Sequence, residues 1–194
     1  MNKKVLLLTL IGLLVVLGVA AALYPRLSAG TQPQQLTTTP TTEATEAADE
    51  PEATEPEPVS APDFTVLDWD GNEVRFSDYA GKPIVLNFWA HWCGPCQMEM
   101  PEFNEAYEEL GGEVTFLMVH VGAAVEDGKE KVTQGGYTFP VVFDTDSRVA
   151  GLYGVSAFPT SFFVNKDGNL EAYYVGMMDR DLLRQGIDLI YTSE

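Results

Sequence analysis

The only two cysteines of the chain lie two residues apart, in the sequence Cys93-Gly-Pro-Cys96. The apolar run Ile84–Trp89 leads into them and a helical pattern follows, so the pair is predicted at a strand-to-helix junction. A cysteine pair in that setting is typical of thiol–disulfide exchange. Free backbone N–H groups and the helix dipole stabilise a thiolate at a helix start. We therefore predict that Cys93 attacks disulfides and that Cys96, one helical turn later, resolves the mixed disulfide.

Two other roles for the cysteine pair stay open at this point. A structural disulfide would suit an oxidising compartment, although so short a loop constrains the unfolded chain little. A zinc site needs four ligands, and only His91 and His120 remain as soft candidates. Met98 and Met100 resemble a soft copper site, but helix packing alone accounts for Met100. We predict a redox pair, with no metal and no other cofactor.

The residue patterns around the pair predict one α/β domain. A hairpin turns at Asp70-Gly71, and the following strand, 84–89, is apolar on both faces, as buried parallel strands are. A helix over 93–110 and a strand over 114–121 then complete a right-handed βαβ unit. Further helices are predicted at 126–134, 147–153 and 179–191, and further strands at 139–143, 160–165 and 170–175. These elements predict a three-layer α/β/α sandwich with a mixed central sheet and an N-terminal β-hairpin.

Residues 1–27 contain an uncharged apolar run from Val5 to Leu23. As a helix it would extend roughly 28 Å, close to the ~30 Å hydrocarbon core of a bilayer. Lys3 and Lys4 before the run predict a cytoplasmic N-terminus and an external remainder. A cleaved signal peptide is the alternative, since the small residues Ala20–Ala22 suit a cleavage site. The length of the run favours a retained single transmembrane helix in the cell membrane.

Residues 28–60 are rich in Thr, Pro, Ala and Glu and have almost no large apolar side chains. Such a segment buries too little surface to offset the entropy of ordering it. We predict a disordered linker here and a single folded domain over 61–194. The net charge of −18 excludes nucleic acid as a partner class, because binding there depends on Lys and Arg at the phosphates.

Two separate stretches of the chain resemble the thioredoxin superfamily. Residues 88–96, Phe-Trp-Ala-His-Trp-Cys-Gly-Pro-Cys, resemble its active-site motif, and Phe158-Pro-Thr160 resembles the loop that carries its cis-proline. The resemblance implies a thioredoxin-like fold, a redox-active Cys93–Cys96 disulfide and a cis peptide bond before Pro159. It also implies a client-binding surface formed by Trp92, Phe158 and Pro159.

The closer resemblance is to the TlpA/ResA-like branch and covers residues 61–190. Its matching motifs are Phe64-Thr-Val-Leu-Asp68, Ser77-Asp-Tyr-Ala-Gly-Lys82, Leu86-Asn-Phe-Trp89, Cys96-Gln-Met-Glu-Met-Pro101, Tyr137-Thr-Phe-Pro-Val141 and Asn165-Lys-Asp-Gly168. This branch is extracytoplasmic and often anchored to the membrane. The resemblance implies an enzyme that reduces disulfides of exported proteins, such as apocytochrome c, with electrons from a membrane thiol donor. A disulfide-forming oxidant and a non-catalytic thiol- or copper-binding module on the same fold are the alternatives.

Two residues distinguish this chain from cytoplasmic thioredoxin. Asn87 stands where that protein has a buried aspartate below the cysteines. Glu99 matches the glutamate that the TlpA/ResA-like branch places beside its cysteines, so we predict that it handles the proton of Cys96. A solvated helix residue is the alternative for Glu99. His91 is predicted as an exposed loop residue, and His120 as a packed or capping residue at a strand end.

Overall fold

The computed structural model describes residues 58–191 and the backbone of residues 37–38. Its strands are β1 (Thr37–Thr38), β2 (Thr65–Leu67), β3 (Glu73–Arg75), β4 (Ile84–Trp89), β5 (Thr115–Val121), β6 (Val141–Asp144), β7 (Thr160–Val164) and β8 (Leu170–Val175). Its helices are α1 (Gly94–Leu110), α2 (Val125–Gly135), α3 (Arg148–Leu152) and α4 (Arg180–Tyr191). A short 3-10 helix, Phe76–Tyr79, precedes β4.

The strands form one sheet in the order β1-β8-β7-β4-β5-β6-β2-β3. Strands β4, β5 and β6 run parallel, whereas β7 pairs antiparallel with both β4 and β8. The hairpin β2–β3 joins the sheet through an antiparallel pair between Leu67 and Phe143. The predicted mixed sheet and N-terminal hairpin are therefore confirmed.

The central strand β4 separates two apolar cores because its side chains alternate between the faces of the sheet. All six of its residues are buried. Val85 and Trp89 lie in the core that α1 and α4 cover, and Phe88 lies in the other, which includes residues of α3. Burial on both faces explains why this strand reads as a continuous apolar run. The central strand also leads directly into the segment that contains the cysteines.

Both hairpin loops are built on an acid or amide side chain that binds the backbone ahead of it. In the β2–β3 loop, Asp68 Oδ1 accepts hydrogen bonds from the N–H groups of Asp70 and Asn72. In the β7–β8 loop, Asn165 Oδ1 accepts from the N–H groups of Asp167 and Asn169. Each loop needs a residue of positive φ, and glycine supplies it at 71 and 168.

Several predicted boundaries were wrong by one or two residues, each for a local reason. The first long helix begins at Gly94, since Cys93 is extended and forms its N-cap. The strand predicted from 139 begins at Val141. It follows Pro140, which has no N–H to donate and pairs only through its carbonyl, with Met118 N. The first three residues of the predicted connector, Ser77–Tyr79, lie in the 3-10 helix, where Asp78 accepts a hydrogen bond from Arg75 N.

The predictions for the first 60 residues lie largely outside the described part of the chain. The apolar run is not among the described residues, and of the linker only 37–38 and 58–60 are. Thr37–Thr38 pairs antiparallel with Ala172 and Tyr173 at the β8 edge. The carbonyl of Val59 accepts a hydrogen bond from Leu170 N, so the backbone just before residue 61 also pairs with the domain. Across residues 58–191, no helix combines the length and apolarity needed to cross a bilayer.

Candidate active site

The two cysteines form a disulfide at the start of α1. Cys93 is the N-cap of the helix, and its sulfur accepts a hydrogen bond from Cys96 N at 3.2 Å. Pro95 lies in the first turn, where a backbone N–H is not needed. This geometry places the sulfur of Cys93 at the positive end of the helix dipole, where a thiolate is favoured.

The two cysteines differ in their access to solvent. Cys93 is 4% exposed and Cys96 is fully buried. Beside them, the side chain of Trp92 is 67% exposed, and its ring packs edge-on against that of Phe158, with centroids 5.8 Å apart. A partner thiol or disulfide therefore meets Cys93 and Trp92 before it can reach Cys96.

The predicted cis peptide bond before Pro159 is confirmed. Pro159 is buried and precedes β7 directly, whereas Phe158 is partly exposed. The carbonyl of Pro159 accepts a hydrogen bond from Gly176 N at 2.8 Å. The cis-proline loop thus lies against the chain that follows β8 and contacts Trp92 through Phe158.

Glu99 is buried inside the domain, so the alternative of a solvated helix residue is wrong. Its residue exposure is 1%. Its Oε1 accepts a hydrogen bond from Asn87 Nδ2 at 2.8 Å, and its Oε2 accepts one from Met178 N at 2.9 Å. Since Glu99 follows Cys96 by three residues, both side chains lie on the same side of α1. The predicted carboxyl group is therefore in the core, on the cysteine side of the helix.

Burial raises the pKa of Glu99 to about 8, because a carboxylate loses its hydration there. The hydrogen bonds from Met178 and Asn87 act in the opposite direction and only partly offset the desolvation. Asn87 also donates to Ser161 Oγ at 2.9 Å. The result is a buried acid that titrates close to the ordinary pKa of a thiol, about 8.5.

His91 does not lie exposed in a loop as predicted. Its side chain is 24% exposed and faces His120, with 3.3 Å between His91 Nδ1 and His120 Nε2. On its other side, His91 Nε2 lies 3.7 Å from Asp127 Oδ2 in α2. His120 is fully buried against the ring of Trp89, which confirms it as a packed residue.

Sequence reasoning missed three groups that surround the predicted site, Ser161, Met178 and Asp127, and also missed the contact of His120 with His91. Ser161 pairs with Asn87 in the register of β4 and β7, and His120 pairs with Trp89 in that of β4 and β5. A correct strand alignment would have found both. Met178 contacts Glu99 through its backbone N–H. Because almost every residue has this group, the residue type gives no sign of the contact.

Met98 and Met100, beside Cys96, do not form a shared site. Met98 is largely exposed, whereas Met100 is buried in the core, so the two side chains leave the helix on different sides. Within residues 58–191, no three side chains of the His, Cys, Asp and Glu types are grouped so that they could hold a metal ion.

Comparison with known proteins agrees with this site. Residues 59–173, more than half of the chain, match the AhpC/TSA family. The chain is 38% identical over 134 residues to the thiol-disulfide oxidoreductase ResA of Geobacillus thermodenitrificans, covering 68% of this chain and 76% of that protein. It is 34% identical over 135 residues to ResA of Bacillus subtilis, covering 69% and 75%.

A solved structure supports the same relationship. The putative thiol:disulfide interchange protein DsbE from Chlorobium tepidum superimposes with a TM-score of 0.63 at 32% identity, over 67% of this chain and 94% of that one. The fold, the disulfide at the start of α1 and the similarity of sequence agree with one another. The chain belongs to the AhpC/TSA family of the thioredoxin superfamily and is a ResA-like thiol–disulfide oxidoreductase.

Proposed function

We propose that this enzyme works as a reductant of disulfides in exported proteins, with apocytochrome c as one client. Cys93 is the nucleophile, Cys96 is the resolving thiol and Glu99 is the proton acceptor for Cys96. Trp92, Phe158 and Pro159 form the surface that receives the client. The electrons come from a membrane thiol donor that reduces the Cys93–Cys96 disulfide after each cycle.

The observation that carries this proposal is the burial of Glu99 on the cysteine side of α1. Proton transfer is efficient when the pKa of the acceptor is close to that of the donor. With a pKa of about 8, Glu99 is matched to a thiol and is largely protonated at neutral pH beside the closed disulfide. That is the state expected after Glu99 has taken the proton of Cys96.

The reaction proceeds in two displacements. The thiolate of Cys93 attacks one sulfur of the client disulfide, and the other client sulfur leaves as a thiolate. The thiol of Cys96 then transfers its proton to Glu99, and the new thiolate attacks the sulfur of Cys93. The second client sulfur leaves, so two electrons have passed from the cysteine pair to the client.

The client surface is supported by the contact between Trp92 and Phe158 beside the exposed edge of Cys93. Exposed aromatic rings at a binding site supply contact area at low entropic cost. The carbonyl of Pro159 already accepts a hydrogen bond from Gly176 N, and Pro159 is buried. We therefore propose that clients are held mainly by the two rings, with Pro159 beneath them.

The first 60 residues support a proposal for where the reaction takes place. We propose that the apolar run Val5–Leu23 anchors the protein in the cell membrane and that the acidic linker holds the domain on the outer side. Lys3 and Lys4 support that orientation. Exported proteins that carry disulfides are found on that side of the membrane.

The direction of exchange is tested by measuring the reduction potential of the full-length protein against glutathione. A reductant with a Gly-Pro dipeptide between its cysteines is expected near the thioredoxin value of about −270 mV. A potential above roughly −150 mV, towards the value of DsbA, would instead identify a disulfide-forming oxidant. Insulin reduction by the same protein, lost in Cys93→Ser, provides the parallel measurement of activity.

A further inference from the structure

The turn that carries Cys93 is held by two hydrogen bonds, one within the turn and one from α1. The N–H of Cys93 donates to the carbonyl of Ala90 at 3.0 Å. The side chain of Gln97 donates to the carbonyl of His91 at 2.8 Å. Only Trp92 separates His91 from Cys93, so their Cα atoms are at most about 7 Å apart. The backbone of His91 is therefore held close to that of Cys93.

The ring of His91 is itself oriented by groups from two other elements. His120, at the end of β5, faces its Nδ1, and Asp127, in the first turn of α2, lies on the side of its Nε2. His120 has little freedom, because it packs against Trp89 and because a Cβ at Gly128 would lie only 2.8 Å from its ring. An exposed loop histidine would not be held in this way.

Of the two histidines, His120 is the one that the fold keeps neutral. Burial, together with the neighbouring His91, lowers the pKa of His120 to about 4, so His120 stays neutral at physiological pH. The carboxylate of Asp127 favours a positive charge on the adjacent imidazole. That carboxylate lies on the side of His91, the histidine that precedes Cys93 by two positions in the chain.

Two other charged groups on the elements packed around the pair, Lys129 and Glu99, have partners of their own. Lys129 pairs with Glu126 on α2 and lies 5.8 Å from the centres of the Trp69 and Phe143 rings. The side chain facing the turn from α1 is the uncharged Gln97, and Phe143 faces His120 from β6. Glu99 is bonded to Asn87 and Met178.

We propose that His91 is a positioning residue, oriented by His120 and Asp127, whose positive charge stabilises the thiolate of Cys93. It contributes a second influence on the cysteine pair, separate from Glu99. Glu99 acts on the buried Cys96, whereas His91 acts on the sulfur that meets the client. This inference rests on the proposed role of Cys93 as the nucleophile.

The test follows the alkylation of Cys93 in the full-length Cys96→Ala variant, which has no other cysteine. The rate of reaction with iodoacetamide between pH 4 and 10 reports the thiolate fraction. When His91→Gln is added, the pH at the midpoint of the alkylation profile is expected to rise by roughly half a pH unit to one pH unit, because a nearby positive charge is lost. His91→Lys restores a positive charge and is expected to return the midpoint most of the way.

The matched control is Lys166→Gln, which removes one positive charge from the β7–β8 loop, at the opposite end of β7 from Pro159. It is expected to leave the midpoint unchanged. A His91→Gln profile that overlays the parent, or a His91→Lys profile that stays with His91→Gln, would overturn the inference. Neither outcome reflects unfolding, provided that thermal melting shows each variant to be folded.

A second comparison separates this inference from the proposed function. At neutral pH, the single-cysteine variants Cys96→Ala and Cys93→Ala are alkylated side by side. Faster reaction of Cys93 supports its role as the nucleophile and validates the test. Faster reaction of Cys96 would overturn the proposed function together with the inference, whereas a fast Cys93 that is insensitive to His91 overturns the inference alone.

Discussion

Asn87 donates a hydrogen bond to Glu99 at 2.8 Å inside the core. Both side chains are buried, and the amide belongs to the central strand whereas the acid belongs to the helix that carries the cysteines. A neutral amide therefore lies at the position where thioredoxin has an aspartate, and the acid approaches from a different element. In the proposed mechanism, the acid–base chemistry of the site depends on this pair.

The first prediction concerns the stability of the oxidised protein as a function of pH. Glu99 has a pKa of about 8 in the folded protein and 4.5 as the reference for the unfolded chain. Between these values the folded state holds a proton that the unfolded state releases, so the free energy of unfolding falls as pH rises and levels off above pH 8. The stabilising contribution is complete below pH 4.5.

Glu99→Gln removes this titration while it keeps the size of the side chain and one of its two acceptor oxygens. Urea unfolding at pH 5, 6.5, 8 and 9 is therefore expected to show that the free energy of unfolding of the parent falls relative to that of the variant as pH rises. Each pKa unit is worth about 1.4 kcal/mol, so the relative loss approaches a few kcal/mol across the window. Parallel curves for the two proteins would mean that Glu99 is not protonated in the folded state.

The second prediction concerns the aromatic client surface. Trp92→Ala is expected to lower the rate of insulin reduction roughly tenfold, equivalent to about 1.4 kcal/mol of lost contact, with little change in unfolding. The ring is mostly solvent-exposed, so its removal opens no cavity. Leu189→Ala, an exposed apolar residue near the far end of α4, is the matched control and should retain full activity. Equal activity of the two variants would remove Trp92 from the client surface.

The third prediction concerns packing between α4 and the sheet. A Cβ at Gly186 would lie 2.1 Å from the ring of Phe163 in β7. Helix propensity alone would favour Gly186→Ala by about 1 kcal/mol, but overpacking of a buried contact costs typically 1–3 kcal/mol. A Cβ at Gly151 in α3 meets nothing within 4 Å. Urea unfolding should show Gly186→Ala destabilised and Gly151→Ala unchanged or slightly stabilised, and the reverse order would contradict the packing described here.

The residue pattern was sufficient to predict the elements that hold the cysteines. The bounds of β4 and β8 were predicted correctly, because the first is a continuous apolar run and the second follows a loop with a clear turn sequence. The cis peptide before Pro159 was expected from the resemblance of its loop. These features can be predicted from the local sequence, because each depends on residues that are close together along the chain.

The contacts between distant segments were not predictable in the same way. Glu99 repeats the spacing of the solvated acids of α1, and only the chain after β8, which supplies Met178 N, places it in the core. His91 appeared to be an exposed loop residue because its partners, His120 and Asp127, follow it by 29 and 36 residues. Such side-chain environments are decided by strand register and helix docking.

The central claim, exchange with exported proteins through Cys93, is tested most directly by trapping. In cells that express the full-length Cys96→Ala variant, Cys93 attacks client disulfides and cannot be released by the missing thiol. We expect covalent adducts that disappear on reduction, contain exported proteins and are absent from the Cys93→Ala, Cys96→Ala double variant. A Cys96→Ala protein that is present and folded but forms no adduct would contradict the account.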